Sequence, residues 1–271
     1  MNLRHTSLTR VLALLIPIVC AVAVERLPAH SVSQMQVIVK FSADDFWLNL
    51  HHFLYVLGRA QAGVRDAQRS EVAGAPLEQD EVLTTLTADD QRVWRDAVAF
   101  YASDLSRRDT VDDPQLVRIT GALARIGPAS RLDASSELPS DLAAMLERAA
   151  SVYRKGWWPA HHRADQEWVA ETQKLVDQHG PQILAFLTHA YQLPWPADGY
   201  PVHVSAYTNW AGAYSTDGPL LVISSVGGDE HGSAALETVF HEASHQWDDP
   251  VLSKLNEIGR SMGKKVPDGL T

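Results

Sequence analysis

The stretch from Leu236 to Asp248 constrains the fold more than any other part of the chain. Leu236, Val239, Phe240, Ala243 and Trp247 recur three and four residues apart, which is the period of an α-helix with one apolar face. On such a helix His241 and His245 stand one turn apart on the opposite side. One face must therefore pack on a core while the other looks into a cleft. The histidines belong to the pentapeptide His241-Glu242-Ala243-Ser244-His245, an H-E-x-x-H motif. Its spacing lets two imidazoles share one Zn2+ ion, and it puts the Glu242 carboxylate where a general base for an activated water is needed. The bland alternative is a pair of histidines on a solvated helix face. Asp248, three residues past His245, lies on the histidine side.

The surrounding pattern predicts an α+β chain, mainly α. A short strand is expected over 36–41. A helix should then start from Ser42-Ala43-Asp44-Asp45, where acids suit the positive end of the helix dipole. Thr87-Ala88-Asp89-Asp90 repeats the signal for a helix running to about Leu105. Further helices are expected over 114–126, 140–155, 160–178 and 181–192, with Ser140 capping the second of these and Pro181 opening the last. Segments 66–80 and 127–138 read as loops. Leu193-Pro194-Trp195-Pro196 breaks the helical pattern. Strands are then expected over 202–207, 211–216 and 220–224, before a loop, the motif helix from near Ser233 and a last helix over 250–261. The organisation expected is a leader over 1–23 (to 31 at most), a mainly helical region over 32–195, and a strand and site-helix region over 196–271 that is incomplete at its C-terminus.

The motif and its setting resemble the zincin metallopeptidases, over roughly residues 200–248. The resemblance implies His241 and His245 as zinc ligands and Glu242 as the general base. It also implies a sheet above the motif helix, with Leu220–Ser224 as the edge strand to which a peptide adds. The metzincin branch requires Gly and then His or Asp at set distances after the second histidine; Asp248 and Val251 stand there, so that branch is excluded. The gluzincin branch, the nearest, takes a Glu from a following helix. Asp248 and Glu257 are weak candidates for the third ligand, and the pattern leads one to expect a Glu beyond Thr271.

Composition narrows the partners. A net charge of −10 excludes a general nucleic-acid binder, so the partner expected is a peptide or protein substrate. The one cysteine, Cys20, allows neither an intramolecular disulfide nor a cysteine-based zinc site. Arg4 and Arg10 precede an apolar run from Val11 to Val24 that ends in Ala21-Val22-Ala23, the order of a secretory signal peptide. The expectation is an extracytoplasmic protein, periplasmic or secreted, with no stable membrane span once the signal is cleaved. An uncleaved N-terminal anchor is the alternative. Nothing in the sequence speaks to the oligomeric state.

Other residues compete weakly for a function. His51-His52 and His161-His162 are adjacent pairs whose side chains diverge on a helix, which is poor for sharing one metal; His51 sits in a helix that is apolar nearly all round (Trp47, Leu48, Tyr55), so a buried, hydrogen-bonded histidine is the simpler reading there. His231, Tyr207 and Tyr214 fall near the expected cleft in sequence, where such groups can stabilise an oxyanion, but a loop histidine and two sheet tyrosines are the simpler reading. Trp157, Trp158 and Trp195 read as packing, and the Asp pairs as helix starts. Two function classes remain: a zinc-dependent hydrolase, or a non-enzymatic extracytoplasmic helical protein, binding or structural, with a degenerate motif.

Overall fold

The computed structural model describes residues 37–65, 70–128, 131–132, 137–216, 220–228 and 230–264. The expected signal segment and Cys20 lie outside them. The described chain is mainly helical with a small mixed sheet, an α+β architecture. Strand β1 (Val39–Ser42) leads into α1 (Phe46–Gln61). Helices α2 (Ser70–Ala73), α3 (Ala75–Leu83), α4 (Ala88–Ser103), α5 (Pro114–Ile126), α6 (Ser140–Gly156) and α7 (Trp158–Tyr191) follow. Then come β2 (Tyr200–Ser205), β3 (Ala213–Thr216), β4 (Leu220–Ser224), α8 (Ser233–Ser244), a 3-10 turn (His245–Trp247) and α9 (Asp248–Ser261).

Local chemistry explains most boundaries. Thr87 caps α4 by accepting from the Asp90 N–H at 3.1 Å, and Asp113 caps α5 by accepting from Gln115 and Leu116. Pro114 opens α5, where its missing N–H costs nothing. Ser140 does not cap α6 as expected: the cap is Pro139, no side chain bonds there, and Ser140 is the first helical residue.

Three larger expectations are corrected. Segment 66–80 contains α2 and the first part of α3, so a composition rich in Ala and Gly does not make it a loop. The two helices expected over 160–178 and 181–192 are one continuous α7, with Pro181 in its interior. Pro181 is exposed, so the carbonyl that loses its partner faces water. Gly180 beside it is buried, and a Cβ there would meet Ile38 Cδ1 at 3.0 Å and Phe240 Cζ at 3.5 Å, so α7 passes very close to its neighbours.

The third correction concerns the sheet. Its order is β1-β2-β4-β3, with β1, β2 and β4 parallel and β3 antiparallel to β4. Leu220–Ser224 is therefore an interior strand, and the edge on the site side is β3. A strand buried on both faces reads as a continuous apolar run, and Leu221, Val222 and Ile223 are fully buried.

Side chains of the sheet alternate between two cores. Val222 and Tyr214 join α1, α4, α5 and α6 in a core around Phe53, Trp94, Tyr153 and Trp157, with Trp94 and Trp157 stacked at 4.3 Å. Tyr200, Val202, Val204, Leu221, Ile223 and Ala213 face α7 and α8 in a second core with Trp195, Phe240 and Trp247. The sheet is thus a middle layer, and α8 lies against its β3 and β4 side.

Candidate metal centre

Helix α8 has the phase its sequence requires. Leu236, Val239, Phe240, Ala243 and, in the following turn, Trp247 are buried, while His241 and His245 are exposed and Glu242 is half-buried. The side-chain ligand atoms of His241, Glu242 and His245 all lie within 4.8 Å of one another, and this is the one such cluster of His, Cys, Asp or Glu among the described residues. The two imidazole rings are 5.2 Å apart and nearly perpendicular. The cluster is consistent with an H-E-x-x-H zinc-binding motif.

The donor chemistry fits a zinc ion. Two imidazoles and a carboxylate are zinc ligands or neighbours in many sites. His245 Nδ1 donates to Asp248 Oδ2 at 2.8 Å, which fixes the tautomer and leaves Nε2 to act as a donor atom toward a metal. Asp248 is thus on the back of a histidine and not in the cluster. Glu257 is also outside it; it accepts from Lys254 Nζ at 2.8 Å on exposed α9.

Glu242 is held from the sheet. Ser215 on β3 donates its hydroxyl to Glu242 Oε2 at 2.9 Å. Tyr200, the first residue of β2, is fully buried on the same face of the sheet, and its hydroxyl has no hydrogen-bond partner. Burial, and then the charge of Glu242, push that hydroxyl up to about 12. Neither Ser215 nor Tyr200 stands out in the sequence; the only available signal is the two-residue period that puts them in phase with Ala213 and Val202.

The other singled-out residues lie elsewhere. Tyr214 points to the opposite face, where its hydroxyl meets His52 Nε2 at 2.7 Å and Thr120 Oγ1 at 3.3 Å. His52 Nδ1 lies 3.0 Å from the Leu48 carbonyl, which can only accept, so Nε2 accepts from Tyr214. Burial drives His52 down to about 4 and holds it neutral. His51 is also fully buried, with Nδ1 2.7 Å from the Tyr101 hydroxyl. Tyr207 donates to Glu78 Oε2 at 2.7 Å, and His161 bridges Glu78 Oε1 and the Tyr153 hydroxyl. Burial alone would raise Glu78, but the bonds from His161 and Tyr207 outweigh it and lower it. His162 pairs with Asp44 at 2.6 Å. His231 is exposed in the loop before α8.

A buried carboxyl that sequence reasoning missed borders that same loop. Asp165 on α7 is fully buried and accepts from Ser225 Oγ at 2.6 Å, just after β4. Burial is the main reason its carboxyl is pushed up to about 7, against hydrogen bonding from Ser225 and Asn49. One turn on, Trp168 Nε1 donates to the Glu230 carbonyl at 2.5 Å. Helix α7 thus fastens both ends of the segment leading into α8.

Comparison with protein-family models, with curated proteins and with solved structures finds no match. Among the described residues no helix is long and apolar enough to cross a membrane.

Proposed function

We propose that this chain is an extracytoplasmic zinc-dependent hydrolase of the zincin type, a metallopeptidase, with His241 and His245 as zinc ligands and Glu242 as general base. The observation that carries the reading is the convergence of these three side chains within 4.8 Å on the exposed face of a helix packed beneath a sheet. Zinc bound there supplies Lewis-acid polarisation of a scissile carbonyl and lowers the pKa of water. Each histidine contributes one ring nitrogen, and Asp248 holds the His245 ring from behind. Glu242 takes a proton from the attacking water and hands it to the leaving amine nitrogen. Its Oε2 is occupied by Ser215, so Oε1 is the oxygen for that work.

The substrate proposed is a peptide in extended form, lying beside β3 as an added antiparallel strand. This is supported by the sheet order, in which β3 pairs only with β4 among the described residues. The basic, apolar and small-residue order of residues 1–23 supports export by a signal peptide. A catalytic zinc site normally has three protein ligands. Asp248 and Glu257 lie outside the three-residue cluster, bonded to His245 and Lys254, and stand as candidates for that third place.

The test uses fluorescein-labelled casein as the probe. Glu242→Gln should keep the zinc content of the wild type, because Glu242 is not a ligand, while hydrolysis falls by several orders of magnitude. Unchanged turnover would refute the mechanism. Purified wild type that binds no zinc would favour the non-enzymatic extracytoplasmic protein with a degenerate motif.

A further inference from the structure

We propose that Ser215 is the positioning residue of Glu242: its hydroxyl, presented by the edge strand β3, anchors one carboxylate oxygen and thereby aims the other. The inference rests on the reading of Glu242 as general base.

Glu242 needs an anchor. It stands half-exposed on α8, and a free glutamate side chain loses rotamer entropy when it is fixed. Ser215 Oγ is the hydrogen-bond donor to it from the sheet, at 2.9 Å. The donor is itself fixed in two ways. Ser215 is paired with Leu221 in the ladder to β4. The next residue back, Tyr214, points to the other face and is held there by His52 and Thr120. Successive side chains of a strand must point to opposite faces, so pinning Tyr214 toward α1 obliges Ser215 to point toward α8. A one-residue slip of β3 would remove the hydroxyl from Glu242 and the phenol from His52 together.

The arrangement also survives strand addition. A peptide joining β3 uses the backbone groups along its free edge, whereas Ser215 leaves the sheet perpendicular to that edge. The anchor of Glu242 and the proposed bed of the substrate therefore occupy different sides of the same short strand.

The experiment compares Ser215→Ala with Ser215→Thr, which keeps the hydroxyl and suits a strand. In metal-free protein labelled with 13C-glutamate, the Glu242 carboxyl resonance is identified by its absence from Glu242→Gln. That resonance should shift in Ser215→Ala and return toward the wild-type position in Ser215→Thr. With zinc and labelled casein, Ser215→Ala should lower kcat by about tenfold to a hundredfold, the worth of a hydrogen bond to a charged group, with KM and zinc content unchanged. Ser215→Thr should recover most of kcat. A carboxyl resonance that stays in place in Ser215→Ala overturns the proposal, and so does a rise in KM or a loss of zinc in place of a fall in kcat. Full activity in Glu242→Gln would instead overturn the reading of Glu242 as general base, and the resonance measurement would still decide whether Ser215 holds the carboxylate.

Discussion

Asp165→Asn should flatten the dependence of stability on pH. In the folded protein burial raises the Asp165 carboxyl from 3.8 to about 7. The native state therefore holds a proton that the unfolded chain releases between those values. Where the native state binds more protons, stability falls as pH rises, so the contribution is complete below 3.8, declines up to about 7 and is flat above. A displacement of roughly three pKa units at 1.36 kcal/mol each amounts to about 4 kcal/mol. His52 acts in the opposite sense. Burial lowers it from 6.5 to about 4, so its contribution is complete above 6.5 and is lost as pH falls to 4. The wild-type curve alone would mix the two, and the variant separates them. Asparagine keeps the shape and an oxygen for the Ser225 hydroxyl, but it cannot ionise. Urea denaturation of both proteins from pH 4 to pH 8 should show Asp165→Asn gaining on the wild type by about 4 kcal/mol across the window. Parallel curves would refute the claim that this carboxyl is neutral in the fold at acidic pH.

Two further outcomes follow from the site and from the leader. Asp248→Ala removes the partner of His245 Nδ1 and should weaken zinc binding about tenfold to a hundredfold, while Glu257→Ala should leave it unchanged; a zinc titration abolished by either substitution would make that residue a ligand after all. Expressed in a bacterial host with its own N-terminus, the protein should be exported and shortened by about 23 residues, and an intact chain in the membrane fraction would establish the anchor instead.

What could be read from the sequence was whatever depends on neighbours along the chain. The phase of α8 follows from Leu236, Val239, Phe240, Ala243 and Trp247, and it places His241 and His245 outward as observed. The helix expected over 114–126 is α5, and Thr87 marks the start of α4. The failures are contacts between distant segments. Pro181 reads as a helix start because the sequence does not show that the unpaired carbonyl faces water. Leu220–Ser224 reads as an edge strand because strand order is set by which segments come together, and β1 and β2 enclose it from the other side. Ser215 and Asp165 look ordinary in the sequence; the Glu242 contact and the burial that give them weight come from elements far along the chain. The burial of His51 was legible from its apolar helix, but not the tyrosines that meet His51, His52 and His161.

The parallel pairing of Val39 with Tyr200 also has a topological cost. Trp195 Nε1 donates to the Ile38 carbonyl across 157 residues of sequence, and closing a loop of that length costs about 4–5 kcal/mol of chain entropy before any contact rewards it. The intervening helices shorten the effective loop by condensing on their own core, so sheet closure draws on their stability. Any cut between Ser42 and Tyr200 leaves one piece with a lone strand and the other with an uncovered edge at β2. The H-E-x-x-H helix is encoded in a dozen residues near the end of the chain, yet the sheet it rests on is complete only when the first strand has returned to meet it.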